Sequence, residues 1–141
     1  MLGGTSAWGD YTFQATLDWT KGETFGLIAR YQNNKNYAVC EFSEPYLGEV
    51  QISLEQYING NKILLGSGED TSYNELGGSN INAYIEVQGT NETCSFNNHV
   101  VSGLSSTLSP PFSGGIGFIT WDQNVNNSQI IVKNINVTNN Y

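Results

Sequence analysis

The sequence predicts an all-β fold built as an antiparallel sandwich or barrel. Apolar and polar residues alternate with a period of two in several segments, and turn residues separate those segments. No window carries a convincing helical stripe, since the nearest candidate, SLEQYINGN, contains Gly60 and keeps the period-two pattern. Roughly nine or ten short strands spaced by turns are typical of these folds. Because there is no linker or internal repeat, we expect one domain over residues 1–141, excised from or part of a larger secreted chain.

The first half of the chain contains the clearest strands. In YTFQATLDW (11–19), the apolar residues all point one way, as in a strand with one buried face. The segment FGLIARY (25–31) is apolar up to Arg30, which is typical of a strand inside a sheet. The turn QNNKN separates it from the strand YAVCEF, and SEPYLG forms the next break. EVQISLEQY alternates with its aliphatic residues inward, and Asn59-Gly60 then predicts a hairpin into the short strand ILLG.

The second half continues the same pattern. Residues 67–80 are predicted to form a loop, and INAYIEVQG (81–89) alternates again with its aliphatic residues on one face. TCSF and HVVSG make another tight pair, and SSTLSPP is irregular. Two last strands, GGIGFITW and QIIVKNINV, complete the predicted sheets.

The charge balance excludes several classes of partner. Lys plus Arg number 5 against 13 Asp plus Glu, which gives a net charge of −8. Nucleic acids and anionic membrane surfaces need clustered basic residues, so neither is an expected partner. Charged residues make up only 13% of the chain, and amides and hydroxyls replace them, as is common in secreted proteins. No run of 18 apolar residues is present, so no transmembrane helix is predicted.

The two cysteines, Cys40 and Cys94, each lie in a strand-like run on the apolar face. They are either two buried thiols or a disulfide that ties two strands in an oxidising compartment. Because facing sheets stand about 10 Å apart, a bridge needs neighbouring strands or a locally pinched sandwich. With no CxxC and a lone histidine, His99, the spacing of a zinc site is missing.

Three sequons support an exterior location for the protein. They begin at Asn91, Asn126 and Asn136. Because the chain is rich in asparagine, chance matches to the sequon are expected. The sequons are therefore modest evidence for an exterior location. Together with the composition they predict an extracellular or cell-surface protein, with glycosylation at these three asparagines.

The order of segments WGDYTFQA, FGLIARYQNNKNY, ISLEQYINGN, INAYIEVQGT, GGIGFITW and IIVKNINV resembles the concanavalin A-like lectins and glucanases. Within that superfamily the chain is most similar to LamG-like domains and to the fructan-binding carbohydrate modules attached to levanases. The resemblance runs from about Trp8 to Val137. It implies a jelly-roll sandwich of two curved sheets that binds its ligand on the concave face or at the rim. Many family members carry an additional β segment before the first of these strands. We therefore expect that the domain was cut from a longer chain, or that this edge strand is missing or is supplied by a neighbour.

Arg30 is unexpected, because it ends a predicted strand whose other residues are apolar and typical of a protein core. By strand parity it shares a face with Ile28, and a buried arginine would need a carboxylate partner such as Glu41, Glu44 or Glu49. The first interpretation is therefore an ion pair that closes the end of a sheet. The second is a fork of N–H donors aimed at a sugar, as the resemblance suggests.

Strand parity also predicts a carbohydrate platform. Sugars present hydroxyl rims and apolar faces, so their sites combine aromatic rings with planar polar groups. Tyr37 and Glu41 share the face opposite Cys40, and Tyr84 shares a polar face with Glu86. Trp121 ends a late strand at a sheet rim, beside Asp122. The predicted sugar-binding residues are Arg30, Tyr37, Glu41, Tyr84 and Trp121, provided that their strands are neighbours; otherwise each is ordinary packing or a solvated side chain.

Catalysis and metal binding receive less support. Glucanases of this superfamily carry catalytic carboxylates on one strand, and here Pro45 interrupts the nearest run, EFSEPYLGE. No G-x-S-x-G motif is present for acyl transfer, so no enzyme is predicted. A structural calcium ion could be bound by Asp10 and Asp122, with Asp70 and nearby backbone carbonyls as further ligands. Solvated acids that cap turns are the favoured interpretation, because no Asp-rich loop is present.

Two functions remain open at this stage. The first is a non-catalytic carbohydrate-binding, lectin-like module of an extracellular or cell-surface protein, with an oligosaccharide or polysaccharide as its partner. The second is a structural or adhesive subunit of a surface filament, sheath or pilus, which would self-associate at an exposed edge strand.

Overall fold

A computed structural model describes residues 9–19, 24–46, 49–70, 78–97, 99–102, 107–121 and 130–139. These residues form ten strands: β1 (Tyr11–Trp19), β2 (Thr24–Asn33), β3 (Asn36–Tyr46), β4 (Glu49–Ile58), β5 (Asn61–Asp70), β6 (Gly78–Gln88), β7 (Asn91–Phe96), β8 (His99–Ser102), β9 (Gly115–Trp121) and β10 (Ile130–Asn139). The described residues contain no helix, so none that could span a membrane.

The strands pair into two five-stranded sheets. The first sheet has the order β10-β1-β6-β7-β8, and the second sheet has the order β5-β4-β3-β2-β9. Every pairing is antiparallel. The predicted all-β antiparallel sandwich is therefore confirmed. The loop predicted over 67–80 is shorter than expected, because β5 continues to Asp70 and β6 begins at Gly78.

The core lies between the two sheets and follows the alternation read from the sequence. In β1, the inward residues Tyr11, Phe13, Ala15 and Leu17 are all buried, whereas the residues between them are partly exposed. The inward residues of β4, β6 and β7 are likewise buried, and the outward-facing Glu55 of β4 and Ser95 of β7 are buried as well. The largest fully buried side chains include Phe25, Phe42, Phe96, Leu27, Ile52, Leu54, Leu65 and Ile81.

A disulfide joins the two sheets through the core. Cys40 of β3 and Cys94 of β7 are bonded, with their Cα atoms 5.7 Å apart. Because facing sheets usually stand about 10 Å apart, the sandwich is pinched at this point. The alternative of two buried thiols does not hold in this structure.

A β-bulge at Arg30 reverses the parity of β2 near its end. Arg30 has a φ of 51°, and the pairing of β2 with β9 shifts register between Ile28 and Tyr31. Ile28 lies on the outer face of the second sheet, whereas the Arg30 side chain turns inward to the end of the first sheet. The expectation that Arg30 shares a face with Ile28 is therefore wrong, since the extra residue of a bulge interrupts the alternation.

Candidate functional site

The guanidinium group of Arg30 makes its hydrogen bonds to groups inside the protein. Its Nε donates to the carbonyl of Gly9 at 3.1 Å and Nη1 to that of Gly89 at 2.7 Å, while Nη2 lies 3.1 Å from Asp10 Oδ1. The guanidinium also sits 5.4 Å from the centre of the Phe112 ring. Only 3% of the side chain is exposed, so this geometry favours the ion-pair interpretation over the sugar-facing fork.

The partner of Arg30 differs from the prediction. Sequence parity named Glu41, Glu44 and Glu49, but the carboxylate is that of Asp10, just before β1. Burial lowers the pKa of Arg30, and the charge of Asp10 opposes that effect. The Glu41 carboxylate lies near Lys62 instead. Asp10 was missed because the ion pair joins residues from different sheets, which strand parity does not report.

Asp10 is also one of the two predicted calcium ligands. Its Oδ1 accepts hydrogen bonds from Arg30 and from the backbone N–H of Gly89 at 2.9 Å. A carboxylate oxygen that faces a guanidinium and an amide is poorly placed for a cation. Asp122, the second predicted calcium ligand, lies outside the described residues. Of the three predicted glycosylation sites, Asn126 also lies outside them, whereas Asn91 and Asn136 are exposed. The calcium and glycosylation assignments stay predictions.

A row of three tyrosines crosses the outer face of the second sheet. Tyr31, Tyr37 and Tyr57 come from the neighbouring strands β2, β3 and β4. The ring centres of Tyr31 and Tyr37 are 6.1 Å apart, and those of Tyr37 and Tyr57 are 4.9 Å apart, with planes tilted by 25° and 27°. Tyr37 is buried between the two half-buried outer rings. We call this group the tyrosine row.

The tyrosine row rests on an apolar base. Ile28, Val39 and Ile119 pack beneath and beside it on the same outer face. Burial raises the pKa of the Tyr37 hydroxyl, with Tyr31 contributing, and burial likewise raises the pKa of Tyr57. The hydroxyls of Tyr37 and Tyr57 therefore stay protonated at physiological pH and can donate hydrogen bonds.

Two carboxylates and an ammonium lie next to the tyrosine row. Lys62 Nζ is 2.8 Å from Glu55 Oε2 and 3.7 Å from Glu41 Oε2. The Glu55 side chain is fully buried, and its Oε1 has no hydrogen-bond partner in the described part of the chain. Lys62 and Glu41 remain partly exposed, so this acid–lysine cluster offers a solvent-facing ammonium and carboxylate.

The cluster continues into a cavity of about 510 Å³ on β4 and β5. Cross-strand pairs place these features in order along the outer face: Tyr37 opposite Tyr57, Val39 opposite Glu55, and Glu41 opposite Ser53. The cavity is lined by Gln51, Ser53, Leu64, Ser67 and Glu69, among others. The second sheet thus presents one continuous strip, from aromatic rings through charged groups to a polar cavity.

The predicted platform is brought together only in part. Tyr37 and Glu41 lie on this strip, as parity predicted. Tyr84 lies on β6 of the first sheet, beside Glu86 on its polar face, so it does not join them. Trp121 ends β9, two strands from β3, and its side chain is outside the described residues.

Sequence reasoning missed Tyr31, Tyr57, Glu55 and Lys62. The parity of β4 contained the signal for two of them, because Val50, Ile52 and Leu54 point inward and so Glu55 and Tyr57 must point outward. Tyr31 could not be placed, since the bulge at Arg30 shifts it to the outer face.

Glu41 and Glu55 are not arranged as a hydrolytic pair. Glycoside hydrolysis requires an acid and a second carboxylate on either side of the scissile bond. Here Glu41 and Glu55 both contact the same ammonium, and Glu55 has no exposed surface. A substrate could not reach both groups without displacing Lys62.

Comparison with known proteins gives structural matches only. No protein-family model matches the chain, and no curated protein matches it. Carbohydrate binding module CBM66 from Bacillus subtilis superimposes with a TM-score of 0.67 at 13% identity, over 92% of this chain and 74% of that one. Galectin-Ib from Xenopus laevis gives a TM-score of 0.63 at 11% identity, over 96% of both chains.

A third match is a mutant of the GH43 protein BlXynB from Bacillus licheniformis. It gives a TM-score of 0.62 at 12% identity over 94% of this chain, which spans 28% of that protein's length. At these low identities the matches show the fold alone. The chain has the β-sandwich fold of CBM66 and the galectins, in agreement with the concanavalin A-like resemblance.

Proposed function

We propose that this chain is a non-catalytic, lectin-like module that binds a carbohydrate on the outer face of its second sheet. The observation that carries the proposal is the tyrosine row beside the acid–lysine cluster. The apolar face of a sugar packs on aromatic rings, and its hydroxyls pair with planar polar groups. Tyr31 and Tyr57 provide ring surface, and Glu41, Lys62 and Gln51 provide the polar groups.

The chemistry of the strip favours a neutral sugar. Among the described residues of the strip, Glu41, Glu55 and Glu69 outnumber the one ammonium, that of Lys62. A polysaccharide that carries carboxylates or sulfates would meet this excess of negative charge, as well as the net charge of −8. Hydroxyl-rich neutral glycans avoid that repulsion. The levanase-like resemblance makes fructans the first glycans to test.

The structural matches support the proposal in a limited way. One neighbour is named as a carbohydrate binding module, and it covers 92% of this chain. The GH43 neighbour matches over 28% of its own length, which is compatible with a module attached to a larger enzyme. Glu41 and Glu55 contact one ammonium and Glu55 is buried, which favours binding over hydrolysis by these two carboxylates.

A glycan array followed by calorimetric titration tests the proposal. We expect saturable binding of a neutral oligosaccharide, weakened at least about tenfold in Tyr57→Ala, since stacked aromatic residues dominate such interfaces. Tyr84→Ala is the matched control, because Tyr84 lies on the first sheet. If neither fructans nor other neutral glycans bind, or if both variants weaken binding equally, the strip is not the site.

An extracellular location is part of the same proposal. The disulfide between Cys40 and Cys94 is typical of oxidising compartments. Asn91 and Asn136 are exposed, so both sequons are accessible to glycosylation. Expression through a eukaryotic secretory pathway, followed by N-glycosidase treatment, should shift the protein's mass. A mass unchanged by the enzyme would remove the sequons from the argument.

One observation favours the second candidate function, an assembly subunit. The edge strand β10 exposes Ile131, Val132 and Ile135, each between 40% and 46% accessible. An edge strand with exposed apolar residues is prone to pair with another chain. A surface-assembly subunit should therefore elute as an oligomer in size-exclusion chromatography, and Ile135→Lys should convert it to a monomer. A monomeric wild-type chain would exclude this candidate.

A further inference from the structure

A glutamate lies in the core directly beside the disulfide. Glu92 of β7 is 1% exposed and points into the space between the sheets, together with Cys94 two residues later. Its Oε1 lies 3.8 Å from Cys40 Sγ and 3.8 Å from Cys94 Sγ. Its Oε2 is buried and has no hydrogen-bond partner among the described residues. We call Cys40, Glu92 and Cys94 the Cys–Glu cluster.

The burial of Glu92 beside the disulfide lowers the stability of the folded chain. A disulfide sulfur is a weak acceptor and carries no proton, so it satisfies a carboxyl group poorly. Burial raises the pKa of Glu92 well above the ordinary range of a glutamate, and the charge of Arg30 opposes this only in part. A fully buried acid with an orphan oxygen costs folding free energy. Sugar binding on the outer face of the second sheet does not use it.

The two sulfur–oxygen distances in the Cys–Glu cluster are close to those of a tetrahedral metal site. Oε1 of Glu92 and the two sulfurs all lie within 4.8 Å of one another. With Zn–S near 2.3 Å and Zn–O near 2.0 Å, a tetrahedron has an S···O edge of roughly 3.5 Å. The observed S···O distances of 3.8 Å are close to that edge. The carbonyl oxygen of Thr93 lies 3.7 Å from Cys40 Sγ and is a fourth potential ligand atom near the sulfurs.

The backbone spacing suits both the bridged and the opened form. The Cα atoms of Cys40 and Cys94 are 5.7 Å apart. Two thiolates on one tetrahedral zinc ion stand roughly 3.8 Å apart, a separation that side-chain rotation can supply once the bond between the sulfurs is broken. Thiolates with a carboxylate are ligands that select zinc over magnesium or calcium.

We propose that the reduced form of this chain binds one thiophilic divalent ion, Zn²⁺ or its analogue Co²⁺, through Cys40, Cys94 and Glu92. A dithiol reductant first gives two electrons and two protons to the S–S bond, and itself becomes a disulfide. Two thiols result. The ion then forms two metal–sulfur bonds and one metal–oxygen bond, and the protons of the two thiols and the carboxyl group pass to water.

The charge of the loaded site is compatible with its surroundings. Two thiolates and one carboxylate against a divalent ion leave one negative charge in the core. Arg30, whose charge acts on Glu92, is buried at the same end of the sandwich. The ion would join β3 to β7 as the disulfide does, and would hold the pinched sheets together before oxidation. The orphan carboxylate of Glu92 would then have its partner.

Cobalt titration of the whole chain tests this inference. The protein is reduced with a trialkylphosphine, the reductant is removed without air, and Co²⁺ is added. We expect one Co²⁺ per chain, a thiolate-to-cobalt charge-transfer band in the near ultraviolet and tetrahedral visible bands, all displaced by Zn²⁺. The oxidised chain should show none of these. Near-ultraviolet circular dichroism reports whether the reduced chain is folded with and without the ion.

Matched variants identify the ligands. Glu92→Gln keeps the shape of the side chain and should lower Co²⁺ affinity by at least about tenfold. Glu86→Gln, on the outer face of the first sheet, should leave the affinity unchanged. A folded reduced chain without the charge-transfer band would overturn the inference, and so would equal affinity in Glu92→Gln and wild type. A reduced chain that stays unfolded even with excess metal would overturn it as well.

Discussion

The guanidinium of Arg30 and the carboxylate of Asp10 lie 3.1 Å apart and link the two sheets at one end of the sandwich. Arg30 belongs to β2 of the second sheet, and Asp10 immediately precedes β1 of the first. The backbone N–H of Arg30 also donates to the Tyr11 hydroxyl at 2.7 Å. Arg30, at the bulge, thus carries both an ion pair and a backbone hydrogen bond between the sheets, which explains why an arginine follows the apolar run of β2.

Replacing Asp10 should show how much the ion pair with Arg30 contributes to the free energy of unfolding. Asp10→Asn leaves a buried guanidinium without its countercharge, although the carbonyls of Gly9 and Gly89 still accept its hydrogen bonds. Because Asp10 is 39% exposed, we expect a loss of roughly 1–2 kcal/mol in the free energy of unfolding, below the cost of breaking a fully buried pair. Urea denaturation measures it. Asp18→Asn, which removes the surface pair with Lys133, should cost less; an equal cost would contradict the link.

Strand parity predicted most of the fold because burial of one face dictates which residues alternate. The inward residues of β1, β4 and β6 were read correctly from their period-two pattern. The same rule failed at Arg30, since a bulge adds one residue and nothing in FGLIARY reports it. Which strands are neighbours was also beyond reach, because pairing depends on contacts distant in sequence. That is why Tyr84 was grouped with Tyr37.

Gly114 lies directly against the main chain of the bulge at Arg30. Gly114 has a φ of +145°, and a Cβ placed there would lie 2.5 Å from the carbonyl carbon of Arg30 and 2.6 Å from the oxygen of Tyr31. Gly114→Ala therefore combines backbone strain with a clash against main chain, and we expect a loss of roughly 3 kcal/mol or more. Thermal unfolding followed by circular dichroism measures it.

Gly89→Ala is the control for that experiment. Gly89 has a φ of +56°, but a Cβ there would meet nothing within 4 Å. Its cost should be the conformational strain alone, roughly 1 kcal/mol. If the two variants lose the same stability, close approach at Gly114 does not shape the bulge.

The disulfide should contribute a large share of the stability. It closes a segment with a sequence separation of 54, for which the chain-entropy model gives roughly 4 kcal/mol. We expect the free energy of unfolding of the Cys40→Ala, Cys94→Ala double variant to be lower by about that amount. The parent chain is measured in its oxidised form, with a metal chelator present so that no reduced fraction is stabilised by bound metal. A loss under about 1 kcal/mol would mean that the core alone fixes β3 against β7.

The candidate site was harder to predict than the fold, for a physical reason. A binding surface depends on which side chains meet across strands, and the tyrosine row draws on β2, β3 and β4 at once. Tyr37 and Glu41 could be placed on the correct face, because they lie on one strand with a clear inward set. Parity could also have placed Glu55 on this face, but its pairing with Lys62 became visible only through their contact. The sequence therefore identified the face but not its composition.

Alkaline titration should single out Tyr11. Its hydroxyl accepts the Arg30 N–H and lies 3.1 Å from the carbonyls of Gly114 and Gly115. Burial raises the pKa of Tyr11 from 10.0 to about 12, while the Arg30 backbone bond and charge oppose the shift. The unfolded chain releases this proton near pH 10, so stability present below that pH is lost as the pH rises to about 12. The loss amounts to roughly 2–3 kcal/mol.

Phenolate absorbance of the folded chain measures that titration directly. One of the eight tyrosines should ionise last, near pH 12, and Tyr11→Phe should remove that final step. Tyr84→Phe is the control, because Tyr84 is half-buried on an outer face and its loss should leave the last step in place. Tyr11→Phe should also flatten the fall in unfolding free energy between pH 10 and 12, since the proton that links ionisation to folding is gone. A final step that survives in Tyr11→Phe would show that the hydroxyl is not held in this hydrogen-bonded position between the sheets.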